Sequence, residues 1–209
     1  MLNAVGRDIP EEILKQTGKE VFQGNYYKDG KPFKKAGPMV TPVMNHDHDK
    51  MVKDIHEALV KCNAHDGMTV SFHHHFRDGD LVVCMVKEIQ KMGLKNITIS
   101  ASSLGKAHDD LVPMIEDGTI TNIESSGVRG KIGEAISHGK LKGLATMRSH
   151  GGRVRALVTG ETHVDIAFIG APTCDEYGNC RGIGGKTNCG VLSYSYVDGN
   201  QADYVVAIT

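Results

Sequence analysis

Six short apolar runs recur along the chain, and their spacing constrains the fold more than any other feature. They read MTVSF (68–72), NITISA (96–101), TITNIE (119–124), GLATM (143–147), VDIAFIG (164–170) and ADYVVAIT (202–209). Each has the length and the β-branched content of a buried strand. Stretches of helical period lie between most of them, such as DLVVCMVKEIQKMG, with Asp80 as its cap and Gly93 as its stop. The first five runs begin at residues 68, 96, 119, 143 and 164, leaving room for a helix between neighbours. A hairpin needs only a tight turn, whereas this spacing calls for right-handed crossovers in a parallel sheet. The fold class expected is therefore α/β, a doubly wound and mostly parallel sheet. No sequence repeat accompanies the spacing, which excludes a solenoid.

The chain divides into residues 1–45 and an α/β domain over 46–209. The first part opens with a short helix, for which Asp8 is the expected cap, Pro10 the first-turn residue and Gly18 the stop. The segment GNYYKDGKPFKKAGPMVTP then carries glycine and proline at short intervals and reads as an extended arm. Regularity returns in HDHDKMVKDIHEALVKC, where Met51, Val52, Ile55, Leu59 and Cys62 take helical spacing behind Asp47 or Asp49.

A parallel sheet dictates where function sits, because its ligands bind outside the carboxyl ends of the strands. The segments just past the runs are HHHFRDGD, SSLGKAHDD, SSGVRGK, RSHGGR and APTCDEYGNCRGIGGKTNCG. All the unusual His-, Arg- and Gly-rich motifs gather on that one edge. The connections at the opposite edge, KMGLKN and HGKLKG, are plain.

Composition narrows the ligand. Net charge is −1, and the basic residues are scattered or sit in turns. Nucleic acid as the main partner is excluded on that ground, while a small anion suits them. No stretch approaches the ~20 apolar residues of a membrane span, and MLNAVGRDIPEE lacks the apolar core of a signal peptide. Five cysteines without a CxxC pair fit a reduced compartment, so the expected location is cytoplasmic.

Three readings compete for the histidine run. His73 and His75 could share a zinc ion, but no ligand spacing supplies its remaining partners from His46, His48 or the cysteines, so no metal is expected. The histidines could also be plain surface residues. The third reading is an oxyanion-stabilising turn between a strand and a helix, in which the backbone of His73, His74, His75 and Phe76 and the charge of Arg77 meet developing negative charge. GIGGKTNCG fails both nucleotide-binding patterns, since Cys180 stands where the phosphate loop needs its first glycine. A backbone-exposing loop remains, with Lys186 and Asn188, able to lie along an extended polar ligand. RSHGGR and SSGVRG each set an arginine beside glycines at a strand end, as carboxylate or phosphate clamps require. Cys174, Cys180 and Cys189 are too irregularly spaced to read as a metal cluster.

Together DGMTVSFHHHFRDGD, ASSLGKAHDDLVPMIEDG, TMRSHGGR and GAPTCDEYGNCRGIGGKTNCG resemble the alpha subunit of citrate lyase, a citrate:acetyl-ACP transferase of the coenzyme A transferase superfamily. The resemblance extends through the GKPFKKAGP arm. It implies that citrate replaces acetate on an acyl-carrier thioester through a mixed anhydride. The carrier (gamma subunit) bears a dephospho-coenzyme A-like group, and a citryl lyase beta subunit consumes the product. No tightly bound cofactor is implied. On this reading His73, His74, His75 and Phe76 form the oxyanion turn. Arg77 and Arg148 meet citrate carboxylates, Ser102 and Ser103 position the substrate, and Gly182, Gly184, Gly185, Lys186 and Asn188 line the thioester arm. The family's subunit has two similar α/β halves with the active site between them, and this chain resembles the first. The competing reading from residues alone is a sugar-phosphate or carboxylate binding module of the same broad fold.

Overall fold

The structure, a computed structural model, describes residues 1–23, 50–73 and 80–209. The chain forms two compact units, Met1–Lys35 and Ala36–Thr209. The expected boundary at residue 45 and most of the arm fall outside the described residues.

In the first unit helix α1 spans Glu11–Thr17, with Pro10 at its N-cap and Gly18 at its C-cap, whose N–H donates to Leu14 O. Asp8 does not cap it. Pro10 already occupies the cap position, and Asp8 instead accepts from the Met1 amine at 2.7 Å.

The second unit opens with α2 (Ile55–Lys61). This helix begins later than its apolar spacing suggests, because Asp54 takes the cap. Its side chain accepts from Glu57 N at 2.8 Å while Glu57 Oε2 accepts from Lys53 N at 3.0 Å. Met51 is left 68% exposed before the helix; Asp47 and Asp49 lie outside the described residues. There follow β1 (Thr69–His73), α3 (Asp80–Lys91), β2 (Ile97–Ala101), a 3-10 turn (Lys106–Leu111) running into α4 (Val112–Glu116), and β3 (Ile120–Ser125). Then come α5 (Gly130–Ser137), β4 (Ala145–Met147), α6 (His150–Thr159) and β5 (Ile166–Gly170). A two-residue hairpin, β6 (Thr173–Cys174) and β7 (Cys180–Arg181), is an addition the apolar pattern does not announce. The chain continues through α7 (Tyr194–Gln201) to β8 (Tyr204–Ile208).

All six expected runs are strands of one sheet, in the order β4-β3-β2-β1-β5-β8, and every pairing in it is parallel. From β1 the chain steps outward through β2, β3 and β4, then returns to the far side of β1 for β5 and β8. The reversal beside β1 is the topological switch point at which doubly wound sheets open a crevice.

The two faces of this sheet differ in kind. Side chains alternate along a strand, and Val70 and Phe72 share a face with Ile97, Ile99 and Ala101 and with Ile166 and Phe168. These residues join Val82, Met85, Val86, Ile89, Ile115 and Ile132 in the main core, with Phe72 stacked on Phe168 at 5.4 Å. The opposite face carries Thr69, Ser71 and His73 on β1 and Thr98 and Ser100 on β2, with Ser71 directly opposite Ser100. Central strands of parallel sheets normally read as continuous apolar runs; here one face is polar, and α6 and α7 cover it with a buried charge pair. A small apolar cluster of Leu157, Val164, Ala167 and Ala202 completes that side.

Candidate functional site

An open cleft of about 550 Å³ lies at the carboxyl ends of β1 and β2, beside the switch point. Phe72 and His73 from β1 form one wall. Ser102, Ser103, Lys106 and His108 come from the loop after β2, Arg129 from the loop after β3, and Tyr194 from α7. The volume suits a small metabolite or the end of a longer one.

Local chemistry positions each side chain. The loops after β2 and β3 run side by side: Leu104 N donates to Gly127 O at 3.0 Å, and Arg129 N to Leu104 O at 2.9 Å. Ser125 and Ser126 tie the same loops together, with Ser126 N donating to Ser102 O at 3.1 Å. Gly105 N donates to His108 Nδ1 at 3.3 Å, closing the first turn of the 3-10 segment. Lys106 and Arg129 are exposed at the rim, where two cations can meet an anion without being desolvated first. Ser193, which lines the cleft, holds φ 49 and ψ −114 at the start of α7. A non-glycine residue there is strained, and such strain concentrates at ligand-binding positions.

Behind His73 lies a buried charge cluster. Arg153 on α6 donates from Nη1 to Asp198 Oδ1 at 2.7 Å and from Nη2 to Asp198 Oδ2 at 2.9 Å, while Nη2 also reaches Ser100 Oγ at 3.0 Å. His73 Nε2 lies 2.8 Å from Asp198 Oδ2, at ion-pair distance although its N–H points off the line to that oxygen. Burial pushes the Asp198 carboxyl up, but His73 and Arg153 outweigh it and hold it at about 2, below the ordinary 3.8. The Tyr194 ring packs 6.0 Å from the His73 ring, and His150 meets Tyr194 edge-on at 5.1 Å.

Of the residues singled out from the sequence, the cleft brings together His73, Ser102 and Ser103. His74, His75, Phe76 and Arg77 lie outside the described residues. Arg148 is elsewhere and engaged: its Nη1 donates to Glu161 Oε2 at 3.0 Å in a nearly buried pair that Arg155 joins. The loop of Gly182, Gly184, Gly185, Lys186 and Asn188 is not in the lining of the cleft. Two of its glycines answer to packing, and Gly184 to its left-handed φ of 93. A Cβ at Gly182 would fall 1.6 Å from Gly190 O, and one at Gly185 would fall 2.1 Å from Pro172 O. Asn188 Oδ1 is occupied by Gly184 N at 3.0 Å, whereas Lys186 is exposed.

Arg129, the arginine of SSGVRG, lines the cleft where a clamp was expected, whereas Lys106 and His108 sit in a strand-end loop whose edge was legible although their roles were not. Arg153 closes the RSHGGR motif, but it turns to Asp198 inside the protein, and Asp198 carries no motif. The one sequence signal of this buried pair is the alternation TVSFH and ITISAS, which is too polar for strands at the centre of a sheet.

Fold and cleft together define a class: a doubly wound α/β protein with a cation- and hydroxyl-lined cleft at the carboxyl edge of its sheet. The family model for the citrate lyase alpha subunit (CitF) matches residues 48–209, and the chain belongs to that family. It is 48% identical over 161 residues to the citrate lyase alpha chain of Escherichia coli K12, covering 77% of this chain and 32% of that one. The corresponding chain of Haemophilus influenzae is 47% identical over the same share. A solved structure from Streptococcus mutans, named as the alpha subunit of citrate lyase in complex with citrate, is 47% identical with a TM-score of 0.77. That match covers 98% of this chain and 39% of the other. The chain thus spans about a third of the length of the curated relatives it matches.

Proposed function

We propose that this chain supplies the citrate-binding part of a citrate:acetyl-ACP transferase, with the cleft beside β1 as the citrate site. One observation carries the reading: Lys106 and Arg129 stand at the rim of a cleft that also presents Ser102, Ser103 and His73. Two cations and several hydroxyls complement a ligand with three carboxylates and one hydroxyl. Family membership and the citrate complex of the Streptococcus mutans relative support it.

In the reaction proposed, a citrate carboxylate attacks the acetyl carbonyl of the carrier thioester, and the carbon–sulfur bond breaks to release the thiolate. The thiolate then attacks the citryl carbonyl of the mixed anhydride, expelling acetate and leaving citryl thioester. Each tetrahedral intermediate needs hydrogen-bond donors at its oxyanion. The backbone after His73 is assigned that role, Arg77 a citrate carboxylate, and the 182–188 loop the thioester arm. The remainder of the subunit, the acyl carrier protein and a citryl lyase subunit are the partners this reading requires.

Calorimetric titration of citrate into the 209-residue chain tests it. Charge-assisted contacts are worth about 1.5–3 kcal/mol each, so Lys106→Gln and Arg129→Gln are each expected to weaken binding roughly ten- to hundredfold. Unchanged affinity in both variants, or saturable binding of sugar phosphates with none of citrate, overturns the assignment.

A further inference from the structure

The edge of the sheet opposite the cleft carries a second meeting of polar side chains. β5 and β8 run parallel with Ile166 beside Tyr204, so the residues one step earlier, Asp165 and Asp203, stand side by side where the two strands begin. Backbone bonds hold them there: Asp165 N donates to Thr69 O at 3.0 Å, and Tyr204 N to Asp165 O at 2.9 Å. Like charges facing each other across paired strands repel, and a cation between them offsets the repulsion. His163 completes the group. Its Nε2 lies 2.7 Å from Asp203 Oδ2 and 3.7 Å from Asp165 Oδ1. Among the described residues this is the one group of three histidine, cysteine or acidic side chains whose donor atoms converge, all within 4.8 Å of one another.

We infer that His163, Asp165 and Asp203 form a binding site for a divalent first-row transition cation of the Zn²⁺ type. An ion about 2.0–2.2 Å from each donor fits between them after small side-chain adjustments. One imidazole with two carboxylates favours such an ion over Mg²⁺ and Ca²⁺, which take oxygen donors. Asp165 is already oriented for it. Its Oδ2 accepts from Thr69 N at 2.6 Å, the kind of outer partner that fixes a ligating carboxylate, and leaves Oδ1 for the ion. Three protein ligands leave the remaining positions to water, which the partial exposure of the side chains (34%, 21% and 32% in chain order) admits. The site lies at the amino ends of the strands, away from the cleft, so the ion takes no part in chemistry there. It ties β8, an edge strand of the sheet, to β5 and through Thr69 to β1. A protonated His163 alone would also offset the two carboxylates, and metal titration separates the two arrangements.

The test is calorimetric titration of Zn²⁺ into the 209-residue chain stripped of metal with EDTA, at a pH where imidazole is neutral, with Mg²⁺ as the comparison. One equivalent of Zn²⁺ is expected whose affinity falls at least about tenfold in both His163→Gln and Asp203→Asn, since losing even an outer partner costs that much. Cysteines elsewhere also take zinc, so only the equivalent lost in both variants counts. Zn²⁺ should raise the melting temperature of the wild type more than that of Asp203→Asn. Should Asp203→Asn fail to fold, ring nitrogen shifts in ¹⁵N-histidine-labelled wild type decide the matter. Zn²⁺ should move the Nε2 signal of His163, identified by its absence in His163→Gln. No binding of Zn²⁺, equal binding in the wild type and both variants, or a His163 ring that Zn²⁺ leaves unmoved overturns the inference. Mg²⁺ binding as tightly as Zn²⁺ overturns the class of ion assigned. None of these results touches the reading of the cleft, which the citrate titration tests separately.

Discussion

Asp198 holds its charge almost fully buried, at a depth where a carboxylate survives only if its partners outweigh desolvation. Its folded value, about 2, lies below the ordinary 3.8. The stability this provides is therefore present above about pH 4 and is lost as pH falls through about 2. Melting temperatures measured from pH 5 down to 2 should show a drop in that window that is smaller in Asp198→Asn, the remainder belonging to other lowered carboxylates such as Asp117. The same variant should be destabilised near neutrality by about 3–5 kcal/mol, because it leaves Arg153 buried without its counter-charge. Arg148 makes the related point about legibility. An arginine beside glycines at a strand end reads as a ligand clamp, and nothing nearby in sequence reveals the partner it keeps thirteen residues away, Glu161. Pairings of this kind depend on how α6 turns back onto the sheet, and an arginine's chemistry is the same whether its carboxylate belongs to the protein or to a substrate.

At the scale of elements, period and spacing carried nearly everything. All six strands appear where alternating or apolar runs stood, because a strand end is set by the same turn residues that sequence displays. What escaped was shorter than any period. The β6–β7 hairpin has two residues on each side, too few to show alternation. It places Cys174 opposite Cys180, with the sulfur atoms 3.8 Å apart. Burial, then the neighbouring Cys174, push the Cys180 thiol up to about 12, and the two sulfurs are close enough for thiol–disulfide exchange to join them. Oxidised glutathione should form a mixed disulfide at one of them, releasing one glutathione thiol, and the other should then displace the second to close the cross-strand bond. Intact mass should show the loss of two hydrogens, and Cys174→Ser should abolish it. On the apolar face, Phe168 is 1% exposed and stacked on Phe72. Phe168→Ala should cost about 3–5 kcal/mol in urea unfolding, with Phe168→Leu well below that.

For the whole molecule, both core clusters are drawn from residues 55–208. Residues 36–209 therefore hold the apolar area whose exposure sets the denaturant slope of unfolding. A chain lacking residues 1–35 is expected to unfold in one transition with a slope within error of the full chain. A second transition, or a markedly smaller slope, would show that the core had been broken. No helix among the described residues is long and apolar enough to cross a membrane.

The two-faced sheet bears on how relatives of this protein can diverge. Val70, Ile99 and Ile166 answer to volume, and one aliphatic side chain can replace another there if a neighbour adjusts. Ser100, Arg153, Asp198 and His73 answer to charge and direction, and changing any one strands the others. Sequence drift should then run at two speeds across a single layer of strands. Even-numbered positions of β1 should wander among aliphatic and aromatic residues, while odd-numbered positions change only in concert with α6 and α7.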